Sequence, residues 1–223
     1  MTRDRAKDSE RMTTRDGGQA SEEASGLGPK APRASAVTLS QPMELRHANL
    51  MGNVHGGEVM KLIDSAAGIA ASRHAGGVVV TASLDQMSFL HPVRVGNIVF
   101  VHACVNDVGR TSMEVGVRVE AEDVFSGLRT HTSSAYLVFV ALDQSGRPRP
   151  VPQLEPETER ERRRQAEAKI RREIRLARAE AIRRQRGEGE AGVEAGARGG
   201  AHGEAEVRGG ARGEAGARGE ARG

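Results

Sequence analysis

One amphipathic helix followed by four β-rich runs is the feature that most constrains the fold of this 223-residue chain. From residue 56 to about residue 73, apolar side chains recur every three or four positions, which is typical of a helix with one buried face. Gly76-Gly77 indicates where this helix ends. The β-rich runs that follow are residues 78–93, 98–108, 112–124 and 128–142.

The connections between these runs are short, for example at residues 95–97 and 109–111. Short connections favour antiparallel neighbours, because parallel strands need a long crossover. A further strand is expected near residues 39–46, before the helix. The sequence therefore predicts an α+β fold in which one antiparallel sheet wraps around one long helix.

Composition divides the chain into one folded domain and several segments without a core. All five aromatic residues lie between Phe89 and Phe139, so one sizeable core is expected. Both ends of the chain are polar, and the C-terminal end repeats Gly-Ala-Arg-Gly-Glu-Ala. The predicted organisation is a disordered segment at 1–36, a folded domain at 37–155, a charged helical extension at 156–186 and a disordered repeat tail at 187–223.

Several function classes are disfavoured by what the sequence lacks. The chain has no Gly-x-Ser-x-Gly motif, no His-Glu-x-x-His motif and no phosphate-binding loop, and its seven histidines show no ligand spacing. Cys104 is the single cysteine, which excludes an internal disulfide, and we expect it to be a packing residue. No run is apolar enough for a membrane span. We expect a soluble cytoplasmic protein without a metal site.

The segment from Asn49 to Asp64 carries the clearest chemical signal. Gly56-Gly57 lies at the predicted helix start, where backbone N–H groups without internal partners meet the positive end of the helix dipole. Asp64 follows Gly57 by seven residues, about 10 Å along the helix axis. This arrangement suits chemistry on a carbonyl group if Asp64 faces a cleft or an interface. A solvated acid on the helix surface is the alternative.

Two further polar residues of this segment have open roles. Asn53 either has a structural role, capping the helix or holding the turn, or takes part in catalysis. His55 is expected to be structural, because its ring can satisfy backbone groups in the turn.

Five groups of residues occur in the same order as the motifs of a known family. They are Asn53-Val54-His55-Gly56-Gly57, Met60-Lys61-Leu62-Ile63-Asp64 with Ala67-Gly68, Thr81-Ala82-Ser83-Leu84-Asp85-Gln86-Met87-Ser88-Phe89 with Pro92-Val93, Gly109-Arg110-Thr111-Ser112-Met113-Glu114-Val115, and Ala135-Tyr136 with Phe139-Val140-Ala141-Leu142-Asp143. Together they resemble the hotdog-fold acyl-CoA thioesterases, and in particular the cytosolic acyl-CoA thioester hydrolase group. The resemblance extends over residues 39–154, which is more than half of the chain.

This resemblance implies a hotdog fold, in which an antiparallel sheet wraps around a long central helix. It also implies a homodimer whose active sites lie across the interface, with further assembly into a trimer of dimers. At the positions that match the family's site the chain has Asn53 and Asp64, which the resemblance assigns to opposite protomers. Within one chain these residues are separated by about two helical turns, too far apart to share one carbonyl carbon.

The activity implied by the resemblance is hydrolysis of medium- to long-chain fatty acyl-CoA thioesters to free fatty acid and CoA. The N–H groups of Gly57 and Gly56 are expected to stabilise the oxyanion. Asp64 is expected to act as a general base on water, with attack by its own carboxylate as the alternative. Asn53 is expected to orient the water or the thioester. CoA is part of the substrate, and no separate cofactor is expected.

Several polar residues are candidates for lining the CoA channel, where a cation would meet the phosphates. For Arg110, a solvated hairpin residue is the alternative. The candidates are Thr81, Ser83, Arg110, Thr111 and Ser112.

The basic segment from Glu159 to Arg186 suggests a different class of function. Its twelve Lys or Arg and five Glu give a net charge of +7, which would attract nucleic acid or an anionic membrane surface. It has no aromatic residues for base stacking, so a solvated or oligomer-packing helix is favoured. A hotdog module that binds acyl-CoA without cleaving it is a further alternative, and the presence of Asn53 and Asp64 argues against it.

Overall fold

The computed structural model describes residues 28–186 and has an α+β architecture. In chain order its elements are β1 (Val37–Pro42), α1 (Gly56–Ala75), β2 (Val79–Phe89), β3 (Ile98–Val108), β4 (Ser112–Glu122), β5 (Arg129–Ala141) and α2 (Glu159–Gln185), with 3-10 turns at Pro32–Ala34 and Leu45–His47. The described residues up to Ala177 belong to one compact unit, and those from Arg178 belong to a second. The disorder predicted for residues 1–27 and 187–223 concerns parts of the chain that lie outside the described residues.

The strands form one antiparallel sheet in the order β1-β3-β4-β5-β2, and α1 packs on one of its faces. This arrangement confirms the predicted antiparallel sheet around a central helix. The hydrophobic core lies between α1 and the sheet, and strand residues point alternately into the core and towards the opposite face. Among the core residues, Ile63, Val101, Val115 and Phe139 are almost completely buried.

α1 begins at Gly56 and ends before Gly76, close to the predicted boundaries. Its buried face is largely alanine, and Ala66, Ala67 and Ala70 are completely buried. Such small side chains let the helix lie close to the sheet. Gly76 closes the helix in the left-handed conformation with a φ of 69°, which a residue with a Cβ adopts only with strain.

β1 ends earlier than the sequence pattern predicts. The strand stops at Pro42, whereas the predicted strand covered residues 39–46. Proline has no N–H to donate to a strand ladder, so it marks the end of regular pairing. The chain then forms the 3-10 turn Leu45–His47, which is held by a capping box at Glu44.

The chain before β1 is folded, which corrects the disorder predicted for residues 28–36. The Lys30 N–H donates to the carbonyl of Gln153 at 2.9 Å, and Arg33 forms an ion pair with Glu157. The polar composition of this segment concealed its order, because backbone pairing with a distant segment holds it in place.

β2 is an edge strand with two bulges. Its register with β5 skips one residue after Thr81 and one after Leu84, which leaves Ala82 and Asp85 as the extra residues. Each bulge shifts the alternation of side chains by one position. Thr81 consequently faces α1, whereas Ser83 and Asp85 face the other side of the sheet.

α2 confirms the charged helix predicted after the folded domain, and its part up to Ala177 contacts the sheet face opposite α1. Ala168 is its one buried residue among those described. The apolar side chains of Ile170, Ile174 and Leu176 on this helix are exposed. Arginine side chains make the contacts with the sheet instead.

Candidate active site

Asp64 lies on the exposed side of α1 and is hydrogen-bonded to the neighbouring edge strand. The hydroxyl of Thr81 donates to its carboxylate at 2.9 Å. Both residues line an open groove of about 530 Å³ whose walls include Ile69, Val79 and Phe139. Asp64 is therefore exposed at the mouth of a partly apolar groove and is oriented there by Thr81.

The turn before α1 is organised by Asn49, which sequence reasoning left without a role. Its side-chain oxygen accepts hydrogen bonds from the N–H groups of Met51 at 2.8 Å and Asn53 at 3.2 Å. Its own N–H donates to the Asn53 carbonyl at 2.7 Å, and Gly52 adopts a φ of 77°. The oxygen is fixed by these two donors, and the amide NH2 of Asn49 has no hydrogen-bond acceptor among the described residues. The signal available in the sequence was the Asn followed three residues later by Gly, which is typical of such turns.

Asn53 is half-buried, and its side chain makes no hydrogen bond to another described residue. It does not cap α1. The cap is His55, whose Nδ1 accepts a hydrogen bond from the Gly57 N–H at 2.9 Å. The structural role predicted for His55 is thus confirmed, and the capping alternative for Asn53 is wrong.

The two glycines at the helix start differ in how accessible their N–H groups are. The Gly57 N–H is engaged by His55, so an incoming oxygen would have to displace that ring. The Gly56 N–H has no partner among the described residues. A Cβ on Gly56 would lie 3.2 Å from the ring of Phe89, so a side chain at this position would require the ring to shift.

The other candidates for the CoA channel lie elsewhere in the fold. Ser83 donates to Asp85 at 3.3 Å on the opposite side of the sheet from Asp64. The Arg110 carbonyl accepts a hydrogen bond from the N–H of Val151, and the Thr111 carbonyl accepts one from the N–H of Ala141 at the end of β5. Ser112 lines a small pocket with arginines of α2. The structure therefore brings Thr81 to Asp64 but not Ser83, Arg110, Thr111 or Ser112.

Other chemistries find little support in the part of the chain that the structure describes. Residues 28–186 contain no cluster of three or more His, Cys, Asp or Glu side chains suited to a metal ion. Burial raises the pKa of the Cys104 thiol, which keeps the thiol protonated and favours the packing role. None of the described helices has the length and apolarity that crossing a membrane requires.

Comparison with known proteins identifies the fold and its relatives. The family described as the Thioesterase superfamily matches residues 51–124, which include α1, β2, β3 and β4. The crystal structure of a hexameric acyl-CoA thioesterase is 38% identical, and the match covers 69% of this chain and 98% of that one with a TM-score of 0.67. The chain belongs to the thioesterase superfamily. Its fold is the hotdog fold of that superfamily, as the resemblance implied.

This thioesterase-superfamily chain is also similar to the acyl-CoA hydrolase of Staphylococcus aureus, which was solved with butyryl coenzyme A, coenzyme A and coenzyme A disulfide. The two are 36% identical, and the match covers 70% of this chain and 95% of that one with a TM-score of 0.66. Further structures of that hydrolase carry alanine in place of an aspartate, an asparagine or a threonine.

Protein VdlD of Helicobacter pylori is a curated relative of this thioesterase-superfamily chain. It is 41% identical over 101 residues, which make up 45% of this chain and 58% of VdlD. The chain therefore spans less than two thirds of the length of this relative.

Proposed function

We propose that the protein hydrolyses acyl-CoA thioesters to a free carboxylic acid and CoA. The observation that carries this proposal is the Asp64 carboxylate, held by the Thr81 hydroxyl at 2.9 Å beside an open, partly apolar groove. A carboxylate with a fixed orientation next to an acyl-sized groove is suited to activating water against a bound thioester. The similar S. aureus hydrolase, which binds butyryl coenzyme A and coenzyme A, supports this choice of substrate class.

The spacing of three residues supports the assignment of the site and adds Asn49 to it. In the S. aureus hydrolase, the altered aspartate lies 15 residues after the altered asparagine and 17 before the altered threonine. In this chain Asp64 lies 15 residues after Asn49 and 17 before Thr81. Asn53 precedes Asp64 by 11 residues and does not fit this spacing. We therefore assign the catalytic asparagine to Asn49, and the role predicted for Asn53 has no comparable support.

In the proposed mechanism Asp64 takes a proton from a water molecule, which attacks the thioester carbonyl carbon. The carbonyl oxygen becomes an oxyanion, for which the Gly56 N–H is the accessible backbone donor. The carbon–sulfur bond then breaks, and the proton held by Asp64 passes to the leaving thiolate of CoA. The NH2 group of Asn49 donates a hydrogen bond to the carbonyl or to the attacking water.

The proposed active assembly is a homodimer with shared sites. Within residues 28–186, β2 pairs on one side only, with β5. It also exposes the apolar side chains of Val80, Leu84 and Phe89, which favours pairing with a second copy. Such pairing would bring Asn49 of one protomer to the Asp64 groove of the other. We propose further assembly into a trimer of dimers, which the similar hexameric thioesterase supports.

Medium- to long-chain acyl groups are the proposed substrates, because the groove beside Asp64 is open and its walls include large apolar residues. A panel of saturated acyl-CoAs of increasing length, with thiol release as the readout, tests this preference.

Binding of nucleic acid is not proposed, since Arg171 and Arg175 of the basic helix are engaged with carboxylates of the sheet. The cytoplasmic location stays a prediction.

Thiol release from palmitoyl-CoA tests the proposal with two matched pairs of variants. Asp64→Asn should lower kcat by about 100-fold or more, because the amide cannot take a proton. Asn49→Ala should lower kcat by about 100-fold, as loss of a single donor to a developing oxyanion does, while Asn53→Ala stays near wild type. Wild-type turnover in Asp64→Asn would contradict the mechanism, and a larger loss in Asn53→Ala than in Asn49→Ala would reverse the assignment of the asparagine.

A further inference from the structure

The face of the sheet opposite α1, here called the outer face, carries acidic side chains beneath the arginines of α2. The carboxylates come from three different strands, and each is at most one tenth exposed. The arginines lie within five consecutive residues of the helix. The carboxylates are Asp85, Asp107 and Glu114, and the arginines are Arg171, Arg172 and Arg175.

Arg171 attaches the helix to the middle of the sheet. Its guanidinium donates to both oxygens of Glu114, at 2.7 and 3.2 Å, and lies 3.7 Å above the ring of Tyr136. Glu114 also accepts a hydrogen bond from Asn106 at 3.3 Å. β4 and β5, which supply Glu114 and Tyr136, are interior strands with a neighbour on each side, so this contact fixes the helix to a part of the sheet that is already constrained.

Arg175 makes a different contact, because its partner lies on the edge strand. It forms an ion pair with Asp85 of β2, in which the two side chains are 21% and 9% exposed. Asp85 also accepts a hydrogen bond from the Ser83 hydroxyl at 3.3 Å. Two groups on different elements therefore fix the carboxylate of Asp85.

Asp85 is itself the extra residue of the second β2 bulge, and the first bulge follows Thr81 directly. With regular alternation, Thr81, Ser83 and Asp85 would face the same side of the sheet. Because of the bulge at Ala82, Thr81 faces Asp64 while Ser83 and Asp85 face α2. The orientation of Thr81 towards Asp64 and the orientation of Asp85 towards Arg175 thus depend on the same irregular stretch of strand.

We infer that Arg175 is a positioning residue for the active site. By holding Asp85, it maintains the double bulge of β2 that turns the Thr81 hydroxyl towards Asp64. This inference rests on the proposed function for its link to turnover, whereas the link to the conformation of β2 stands on the contacts alone. Arg175 touches none of the reacting groups and acts through Asp85 and the strand.

The physical basis is the cost of leaving a buried charge without a partner. Without Arg175, the Asp85 carboxylate would keep little exposure and lose its counter-charge. Since β2 is an edge strand that pairs on one side within the described chain, it can relieve this cost by moving the bulge and exposing Asp85. Such a shift would rotate Thr81 away from Asp64.

Comparing Arg175→Ala with Arg171→Ala in the full chain tests this inference. Both variants remove one arginine contact between α2 and the sheet, but only Arg175 contacts the edge strand. We expect Arg175→Ala to lower kcat for palmitoyl-CoA by about 10- to 100-fold with a smaller change in KM, as displacement of a site group does. Arg171→Ala should keep kcat within the same order as wild type, and Arg175→Lys should recover part of the loss.

Hydrogen exchange of the peptide that covers residues 79–89 provides a readout independent of turnover. We expect exchange in this peptide to be faster in Arg175→Ala than in wild type or Arg171→Ala. Equal exchange in the two alanine variants, or equal loss of kcat, would overturn the inference. Both arginines would then act only by keeping α2 packed on the sheet, without a specific effect of Arg175 on β2. If the wild type itself releases no thiol, the proposed function fails, and the exchange comparison alone decides the role of Arg175.

Discussion

The two faces of the sheet are covered by helices that are attached in opposite ways. α1 packs through alanines and larger apolar residues that are completely buried against the strands. α2 buries Ala168 alone among its described residues and contacts the outer face through arginines paired with carboxylates. The comparison shows that one sheet can combine a close-packed apolar face, which supplies stability, with an ionic face, which fixes geometry.

Mutations on the two faces of the sheet should affect stability differently. Apolar packing is cumulative and tolerates small rearrangements, whereas a buried ion pair depends on both partners. We therefore expect substitutions on the α1 face to lower stability most. Substitutions on the outer face should have smaller effects on stability. The effects of substituting the two partners of one ion pair should be strongly non-additive.

The largest effect on stability is expected from Phe139→Ala on the α1 face. Phe139 is almost completely buried and contacts α1 near Gly68. Its truncation should lower the free energy of unfolding by about 3–5 kcal/mol, because a large side chain is lost and a cavity remains. Urea denaturation followed by circular dichroism measures this loss. A loss below that of Arg171→Ala would contradict the assignment of the core to this face.

A smaller effect is expected from the central ion pair of the outer face. Glu114→Gln should lower the free energy of unfolding by about 2 kcal/mol, because Arg171 loses its buried counter-charge. The double variant with Arg171→Ala should lose less than the sum of the single variants, with a coupling of about 1 kcal/mol or more. Denaturation of all four proteins gives this coupling. Additive losses would show that the two side chains act independently.

The smallest effect concerns His74, which is buried at the end of α1. Its Nε2 lies 3.0 Å from the carbonyl of Pro152, and burial lowers the pKa of the ring below its ordinary value near 6.5. The neutral ring is therefore favoured in the folded state, and its contribution to stability is present above about pH 6.5 and is lost as the pH falls. His74→Gln should show a weaker loss of stability between pH 7.5 and 5.5. An unchanged pH dependence of the unfolding free energy would contradict this role.

Much of the fold was predictable from local sequence patterns. The apolar stripe and the glycines at each end located α1 within two residues at its C-terminal end, and the β-rich runs located β3 to β5. Asp64 was identifiable because its sequence neighbours are small or apolar, where a carboxylate is costly unless it faces a cleft or an interface. These features depend on neighbours within one or two turns, which is the range that a single sequence conveys.

The remaining features depend on contacts between distant segments. The β2 bulge at Asp85 is held by Arg175, 90 residues away, so no local pattern indicates it. Ser83 was expected to line the same channel as Thr81, although the bulge at Ala82 turns Ser83 to the outer face. Asn49 was missed because its role lies in the geometry of a turn, which the sequence records only as an asparagine before a glycine.

The central claim is that the active site combines Asn49 of one protomer with Asp64 of another, and complementation tests it most directly. Co-expression of Asn49→Ala and Asp64→Asn chains in equal amounts forms assemblies in which some sites receive both wild-type residues. For random pairing, about a quarter of the sites should be intact, so the mixture should recover about a quarter of wild-type thiol release from palmitoyl-CoA. Each variant expressed alone should release almost no thiol from palmitoyl-CoA. A mixture as inactive as the separate variants would contradict the shared site, since both residues would then have to come from one chain.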